Sequence, residues 1–317
     1  MILAAALPLR AAAPSAPAAV SKRDHELAAQ GLDLLMNGRP DAAIEVFHQI
    51  EREDYESPLG YLLDADAVWW KIYYSTGDLI DPDVFDVVSA PETPWDSHFH
   101  DLIGVTLVKA QARIEAHQDL ARSYLYKGMA YALEGRLSGL RGEVFPTARA
   151  AKKMRHYLLL ALKTDPALAD ADLGVGLYNY FVSTLPGIIR ALRWLIGMPG
   201  GSRTLGLAEL ATAAKDGELT HAEAEFYLSK DFSRKSEMHL RKALAGFAAL
   251  AREYPQNGLW KLLEGSTEIR MGQPAQGEAL YREVLEMTRG SRSEVNQKLH
   301  EAALLALERR HPGEKFE

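Results

Sequence analysis

The stretch GLDLLMNGRPDAAIEVFHQI, residues 31–50, predicts a pair of packed helices joined by a short turn. Two glycines lie seven residues apart, and a small, an aromatic and an aliphatic residue follow them. The positions are Gly31, Gly38, Ala43, Phe47 and Ile50. A small residue midway along the first helix lets the second helix approach, and the second glycine can end the first helix with a positive φ.

The same offsets occur near the end of the chain, in GSTEIRMGQPAQGEALYREV, residues 265–284. The matching positions are Gly265, Gly272, Gly277, Tyr281 and Val284, and Gly128, Tyr131 and Gly135 repeat the opening of the pattern in mid-chain. This spacing resembles the tetratricopeptide repeat (TPR), a helix-turn-helix unit of about 34 residues. Two full copies and one partial copy predict a repeat protein.

Helical periodicity continues through the rest of the chain. Apolar residues recur at intervals of three and four, and no segment alternates as a half-buried strand does. We therefore expect an all-α fold, an α-solenoid of TPR-like helical hairpins over residues 21–317. After the first hairpin, LGYLLDADAVWWKIYYSTG predicts one buried helix, followed by a loop and a long helix from about Pro94. Between Gly135 and Pro166 we expect a long second helix.

Composition excludes several classes of function. The net charge is -7 and the pI is about 5.8, whereas a nucleic-acid-binding protein needs a basic surface to displace counterions. The chain contains no cysteine, which excludes disulfides, thiol catalysis and Cys-ligated zinc. We expect no nucleic-acid partner.

Residues 1–20 are rich in alanine and proline and differ from the rest of the chain. An apolar run followed by small residues is typical of a signal peptide, and a disordered tail is the alternative. We expect a periplasmic or secreted protein if the segment is a signal peptide, and a cytoplasmic protein otherwise.

An ordered series of motifs runs through the middle of the chain. It comprises a GxG helix start, two aromatics, a proline, an apolar helix, a Gly-rich turn, a basic residue and a Gly-Leu pair. The positions are Gly174, Gly176, Tyr178, Tyr180, Pro186, Arg203, Gly206 and Leu207. Over about residues 121–286, the series resembles the TPR family that contains the yeast inclusion-body clearance protein and uncharacterised bacterial proteins. Ser202 stands where relatives often carry an acidic residue.

The resemblance implies a helical repeat protein with no known catalysis. Its eukaryotic members are linked to organelle surfaces and lipid droplets. The residues alone say nothing of such a location, so we do not transfer it to this chain.

The apolar stretch 174–203 leaves several placements open. A membrane span is disfavoured because Pro186 interrupts the stretch and two arginines follow, each costing roughly 2.5–3.5 kcal/mol near the bilayer centre. We favour a buried helical hairpin. Alternatively its second half, the helix 187–197, contacts a protein partner or lies on a membrane surface. The candidate contacts are Arg190, Arg193 and Trp194.

The segment PWDSHFHD, residues 94–101, is the sharpest polar cluster. His98 and His100 are zinc-ligand types, but two residues apart on a helix they point to different faces. Asp96 and His100 fit more simply as a surface pair. A metal-binding protein or enzyme using the two histidines is kept as an alternative, and no metal ligand is assigned. No P-loop, Rossmann, nucleophile-elbow or HExxH motif is present, so we expect neither catalysis nor a cofactor.

The predicted function is a non-catalytic scaffold that binds a polypeptide partner. TPR arrays present the first helix of each hairpin along a concave groove. The expected groove residues are Leu32, Leu35, Arg122, Leu125, Met129, Leu259, Leu262, Ser266 and Ile269. The main alternative is a peripheral membrane or lipid-associated protein that uses the helix 187–197 and the basic run RAAKKMRH, residues 149–156.

Overall fold

The computed structural model describes residues 22–76, 79–80, 89–185, 197–313 and 316. Within them the chain forms thirteen α-helices and no strand, which confirms the all-α prediction. The helices are α1 (Lys22–Met36), α2 (Pro40–Glu53), α3 (Leu59–Thr76), α4 (Asp96–Glu115), α5 (Leu120–Leu140), α6 (Val144–Thr164), α7 (Asp170–Thr184), α8 (Arg203–Asp216), α9 (His221–Ser233), α10 (Leu240–Glu253), α11 (Gly258–Arg270), α12 (Pro274–Thr288) and α13 (Glu294–Arg310). The predicted signal peptide, residues 1–20, lies outside the described residues.

The first hairpin, α1 with α2, forms as the sequence pattern predicts. A Cβ on Gly31 would lie 2.1 Å from the Phe47 ring, so the aromatic side chain of α2 occupies the space that a side chain on α1 would need. Gly38 and Gly272, the second glycines of the two full copies, have φ of +74° and +83°. Both therefore end their helices in the conformation that was expected.

The middle hairpin differs from the prediction. α5 continues through Gly135 to Leu140, and the turn comes at Gly142, whose φ is +77°. Both helices of this hairpin, α5 and α6, have 21 residues, although only the second was expected to be long. The seven-residue spacing of glycines does not mark the turn here.

The helix predicted after the first hairpin is confirmed as α3, and thirteen of its 18 residues are buried. The helix expected from Pro94 begins two residues later, at Asp96. The Asp96 carboxylate accepts hydrogen bonds from the backbone N–H and the hydroxyl of Thr93, at 2.9 and 2.6 Å. These bonds hold the chain where α4 begins.

The helices form two layers. Each helix packs on the next helix in sequence, and the principal contacts beyond neighbours join odd-numbered helices only. They pair α1 with α3, α3 with α5, α5 with α7, α7 with α9, α11 with α13, and α3 with α13. The odd-numbered helices are therefore the inner layer, and the even-numbered helices cover them.

The two ends of the array meet inside the inner layer. Trp260 on α11 donates from its indole N–H to the Met36 carbonyl at the end of α1, at 3.0 Å, and Asn257 donates to the same carbonyl at 2.9 Å. The ring of Trp70 on α3 lies 6.1 Å from Trp260 and 5.5 Å from Phe226 on α9, centroid to centroid. We call Trp70, Phe226 and Trp260 the closing cluster. Their buried rings fill the interior where the ends meet.

Candidate partner-binding groove

The nine residues expected to line a concave groove fall into two sets. Leu35, Leu125, Leu259 and Leu262 are at most 1% exposed and pack in the core. Because the interior is filled with side chains, these four leucines face the core and not a groove. The half-buried set is Leu32, Arg122, Met129, Ser266 and Ile269, for which a role in binding stays a prediction.

An apolar groove does exist, at another place. It has a volume of about 270 Å³ and lies between the α5–α6 hairpin and α7. We call it the α5–α7 groove. Its lining is Tyr131, Ala132, Gly135, Arg136, Gly139, Leu140, Thr147, Ala151, Met154, Leu177, Tyr178, Phe181, Val182, Leu185 and Tyr227.

α7 approaches the α5–α6 hairpin closely along its first half. In the first half of α7, a Cβ on Gly174 would lie 2.3 Å from Leu158 of α6. In the second half, Phe181 and Val182 line the groove together with a stripe of small residues on α5. The stripe comprises Ala132, Gly135 and Gly139, three to four residues apart and thus on one face of the helix. Small side chains cannot fill the space, so among the described residues apolar side chains border an unfilled volume.

Basic side chains border the groove. The ammonium of Lys153 lies 4.7 Å from the centre of the Tyr131 ring, and the guanidinium of Arg155 lies 5.3 Å from the centre of the Tyr178 ring. Both tyrosines line the groove. The basic run 149–156 of the sequence therefore supplies positive charge to the rim of an apolar trough.

A buried ion cluster forms the wall between the groove and the interior. Arg136 of α5 pairs with Glu223 of α9 and lies 3.9 Å from Asp66 of α3. Burial and then the charge of Glu223 raise the pKa of Asp66 well above its usual range. Burial opposes the charge of Arg136, but the charge of Glu223 outweighs this effect and raises the pKa of Arg136, which stays protonated. The cluster ties three inner helices together at the back of the groove.

The polar segment 94–101 is not organised as a metal site in the described residues. His98 and His100 are both exposed on α4, and neither belongs to the group of His, Asp and Glu side chains whose ligand atoms converge. Asp96 does not pair with His100: it binds Arg141 through two bonds of 2.7 and 2.8 Å. Those bonds, with those from Thr93, lower the pKa of Asp96 although burial opposes them. Asp96 is a structural anchor.

The first half of the apolar stretch 174–203 forms α7. Eleven of its 15 residues are buried, as expected for a buried helix. The predicted partner or membrane contacts, Arg190, Arg193 and Trp194, lie outside the described residues. Among the helices that are described, none combines the length and the apolar character needed to cross a membrane.

Sequence reasoning missed the residues of the groove, although a signal was present. Ala132, Gly135 and Gly139 form a small-residue stripe on a helix that is otherwise well supplied with large side chains. The repeat pattern predicts a helix end at Gly135, whereas α5 continues to Leu140. The burial of α7 agrees with the prediction of a buried helix, but the groove beside it depends on how α7 packs on the α5–α6 hairpin.

Comparison with known proteins does not extend this description. No family model matches the chain, and no curated protein matches it in sequence. The resemblance to the TPR family therefore stays a prediction.

Proposed function

We propose that the protein is a non-catalytic α-solenoid of TPR-like hairpins that binds a polypeptide partner. The packing of each helix on its sequence neighbour supports this proposal, because repeat arrays are built from such contacts. So does the division into an inner layer of odd-numbered helices and an outer layer of even-numbered helices. The α5–α7 groove is the proposed binding site.

The chemistry of the groove defines the partner class. A helix-lined apolar trough fits the apolar face of an amphipathic helix, whose anchors lie three or four residues apart. The rim carries Lys153 and Arg155, so acidic residues flanking the apolar anchors complete the match. The partner is thus a short amphipathic helix with an acidic border. The apolar groove with its basic rim is the observation on which the proposal rests.

The shape of the groove favours a peptide over a membrane surface. Val182 is 5% exposed, and it lies in the recess between the hairpin and α7. A bilayer surface is broad and contacts what protrudes from a protein, whereas a helix can enter a recess. The basic rim alone would serve either partner, so the test includes both.

Binding of a designed probe tests the proposal. The probe is a fluorescein-labelled peptide of about 18 residues, long enough to form a helix, with leucines at i, i+4 and i+7 and glutamates on its border. We expect the full chain to bind it. Phe181→Ala, which removes a groove side chain, should weaken binding at least tenfold, about 1.4 kcal/mol. Val108→Ala, which changes a 70% exposed residue of α4, is the control and should leave binding unchanged.

Two results would contradict the proposal. One is a peptide affinity that is the same for the native chain and for Phe181→Ala. The other is the absence of peptide binding together with strong binding to vesicles of phosphatidylserine and phosphatidylcholine, which would support the membrane alternative. A probe with lysine in place of glutamate should bind weakly, since the rim then repels its border.

A further inference from the structure

A histidine and two carboxylates converge where α2 packs on α3, outside the α5–α7 groove. His48 and Glu51 lie one turn apart on one face of α2, and Asp64 lies on α3. One ligand atom from each side chain, an imidazole nitrogen or a carboxylate oxygen, lies within 4.8 Å of the other two. In the part of the chain that the structure describes, this is the only group of three or more metal-ligand types that converges so closely.

Close packing of the two helices brings the three side chains together. A Cβ on Gly60 of α3 would lie 2.6 Å from Cγ of Glu51 and 2.9 Å from its backbone nitrogen. Only a residue without a side chain allows that approach. One turn further along α3, Asp64 meets His48, which lies one turn before Glu51 on α2. The backbone therefore holds the cluster in place.

Two carboxylate oxygens of the cluster are buried without a hydrogen-bond partner. Asp64 is 1% exposed, and its Oδ2 lies 3.1 Å from Nε2 of His48 while its Oδ1 has no hydrogen-bond partner. Oε1 of Glu51 is also buried without a partner. An unpaired carboxylate oxygen in such a position is unfavourable, because burial removes its hydration.

Two neighbouring lysines are engaged elsewhere. Lys71 binds Asp41 at 2.6 Å, and Lys109 donates to the carbonyl of Tyr55. Among the described residues, no lysine or arginine forms an ion pair with Glu51 or Asp64. Burial, followed by the charge of Asp64, raises the pKa of Glu51 to about 6, although the charges of His48, Arg52 and Lys109 act in the opposite direction.

We propose that His48, Glu51 and Asp64 bind a divalent transition-metal ion of the zinc type. One imidazole nitrogen with two carboxylate oxygens is a donor set that Zn²⁺ accepts. The 3.1 Å between Nε2 of His48 and Oδ2 of Asp64 fits two donors on one ion, at bond lengths of about 2.0–2.2 Å. The side chain of His48 is 37% exposed, so an ion can enter from solvent.

One histidine of the segment 94–101, in which the sequence indicated possible metal ligands, acts on this cluster. The charge of His98 on α4 acts on Asp64 and lowers its pKa, against the larger effect of burial. His98 therefore lies on the side of the molecule that carries this cluster. The three principal ligands come from other helices, and His100 is not among them.

Titration with Zn²⁺ alone tests the proposal. The full chain, stripped of metal with EDTA, is expected to bind one Zn²⁺ in isothermal titration calorimetry, with a Kd on the order of micromolar or tighter. His48→Ala and Glu51→Gln should each weaken binding by about tenfold or more, since each removes one of three ligands. His100→Ala, an exposed histidine of α4, is the matched control and should bind as the native chain does.

Thermal unfolding supplies a second readout. Zn²⁺ should raise the Tm of the native chain and of His100→Ala, because a ligand that binds only the folded state stabilises it. It should leave the Tm of His48→Ala unchanged. Glu51→Gln preserves the size of the side chain, so circular dichroism should show an intact helical fold in that variant.

Two outcomes would overturn the proposal. The first is an absence of Zn²⁺ binding by a native chain that is folded. The second is binding that persists unchanged in His48→Ala and Glu51→Gln, which would place the ion at other residues.

Discussion

The closing cluster and the α5–α7 groove are built from the same kinds of side chain but differ in what covers them. At the closing cluster, Trp70, Phe226 and Trp260 lie ring against ring, and the polar atom of Trp260 has a partner in the Met36 carbonyl. In the groove, Phe181 and Val182 border a volume that no described side chain fills. Apolar surface that is covered contributes stability, whereas apolar surface that is left uncovered is available to a partner.

The largest expected effect is at the closing cluster. Trp260→Ala removes a side chain that is 0% exposed, together with its hydrogen bond. The free energy of unfolding, measured by urea denaturation, should fall by about 3–5 kcal/mol. Phe181→Ala should cost clearly less, because its side chain is only half-buried. Equal losses would mean that the groove is packed as tightly as the closing cluster.

The ion cluster between the two regions should make stability depend on pH. Because the pKa of Asp66 is raised in the folded chain, its carboxyl keeps a proton at pH values where the unfolded chain has lost it. Above the ordinary pKa of 3.8, rising pH therefore favours the unfolded chain, by up to about 1.4 kcal/mol per pH unit. Asp66→Asn cannot ionise. Its free energy of unfolding, relative to the native chain, should rise as the pH increases above about 4, over the range in which the folded native chain keeps Asp66 protonated.

A second variant tests whether the raised pKa of Asp66 causes this dependence of stability on pH. Glu223→Gln removes the neighbouring negative charge, so the pKa of Asp66 should fall and the dependence on pH should become shallower. Urea denaturation at several pH values compares the three chains. Parallel curves for the native chain and Asp66→Asn would show that Asp66 is already ionised in the fold.

The smallest effects are expected from two glycines. Gly31 lies where two helices pack closely, and Gly135 lines the α5–α7 groove. Gly31→Ala should lower the free energy of unfolding by about 1–3 kcal/mol, because the new Cβ would lie 2.1 Å from the Phe47 ring. Gly135→Ala should raise it by about 0.5–1 kcal/mol, since alanine favours a helix. Its Cβ would meet Ala150 at 3.4 Å, close to an ordinary contact. A loss of stability in both variants would mean that the contact between α5 and α6 at Gly135 has no spare room.

The outcome for individual residues shows which parts of the structure a sequence can predict. The contact between Gly31 and Phe47, the positive φ of Gly38 and the burial of α3 depend on residues close in sequence, and they were predicted. Leu259 and Leu262 were placed on the correct inner helix. Their expected exposure differs from the structure because α11 meets α1 and α3, more than 180 residues earlier, as the bond from Asn257 to Tyr74 illustrates.

The two candidate sites likewise depend on contacts between residues that are not neighbours in the sequence. The three-residue spacing of His48 and Glu51 is visible in the sequence. The third proposed ligand, Asp64, lies within an apolar helix, where the sequence does not distinguish it from a structural aspartate. The groove depends on the angle at which α7 leaves the α5–α6 hairpin. Residue periodicity contains no information on that angle, so the groove could not be predicted from it.

The contact of α1 with α11 also fixes how the chain can evolve. Open repeat arrays gain or lose units by duplication and deletion, because each unit contacts only its neighbours. Here the bonds from Trp260 and Asn257 to the Met36 carbonyl require a set number of helices between the two ends. Inserting one hairpin would separate those partners and expose the rings beneath them. The hairpins can therefore diverge in sequence one by one, whereas a change in their number would break this contact.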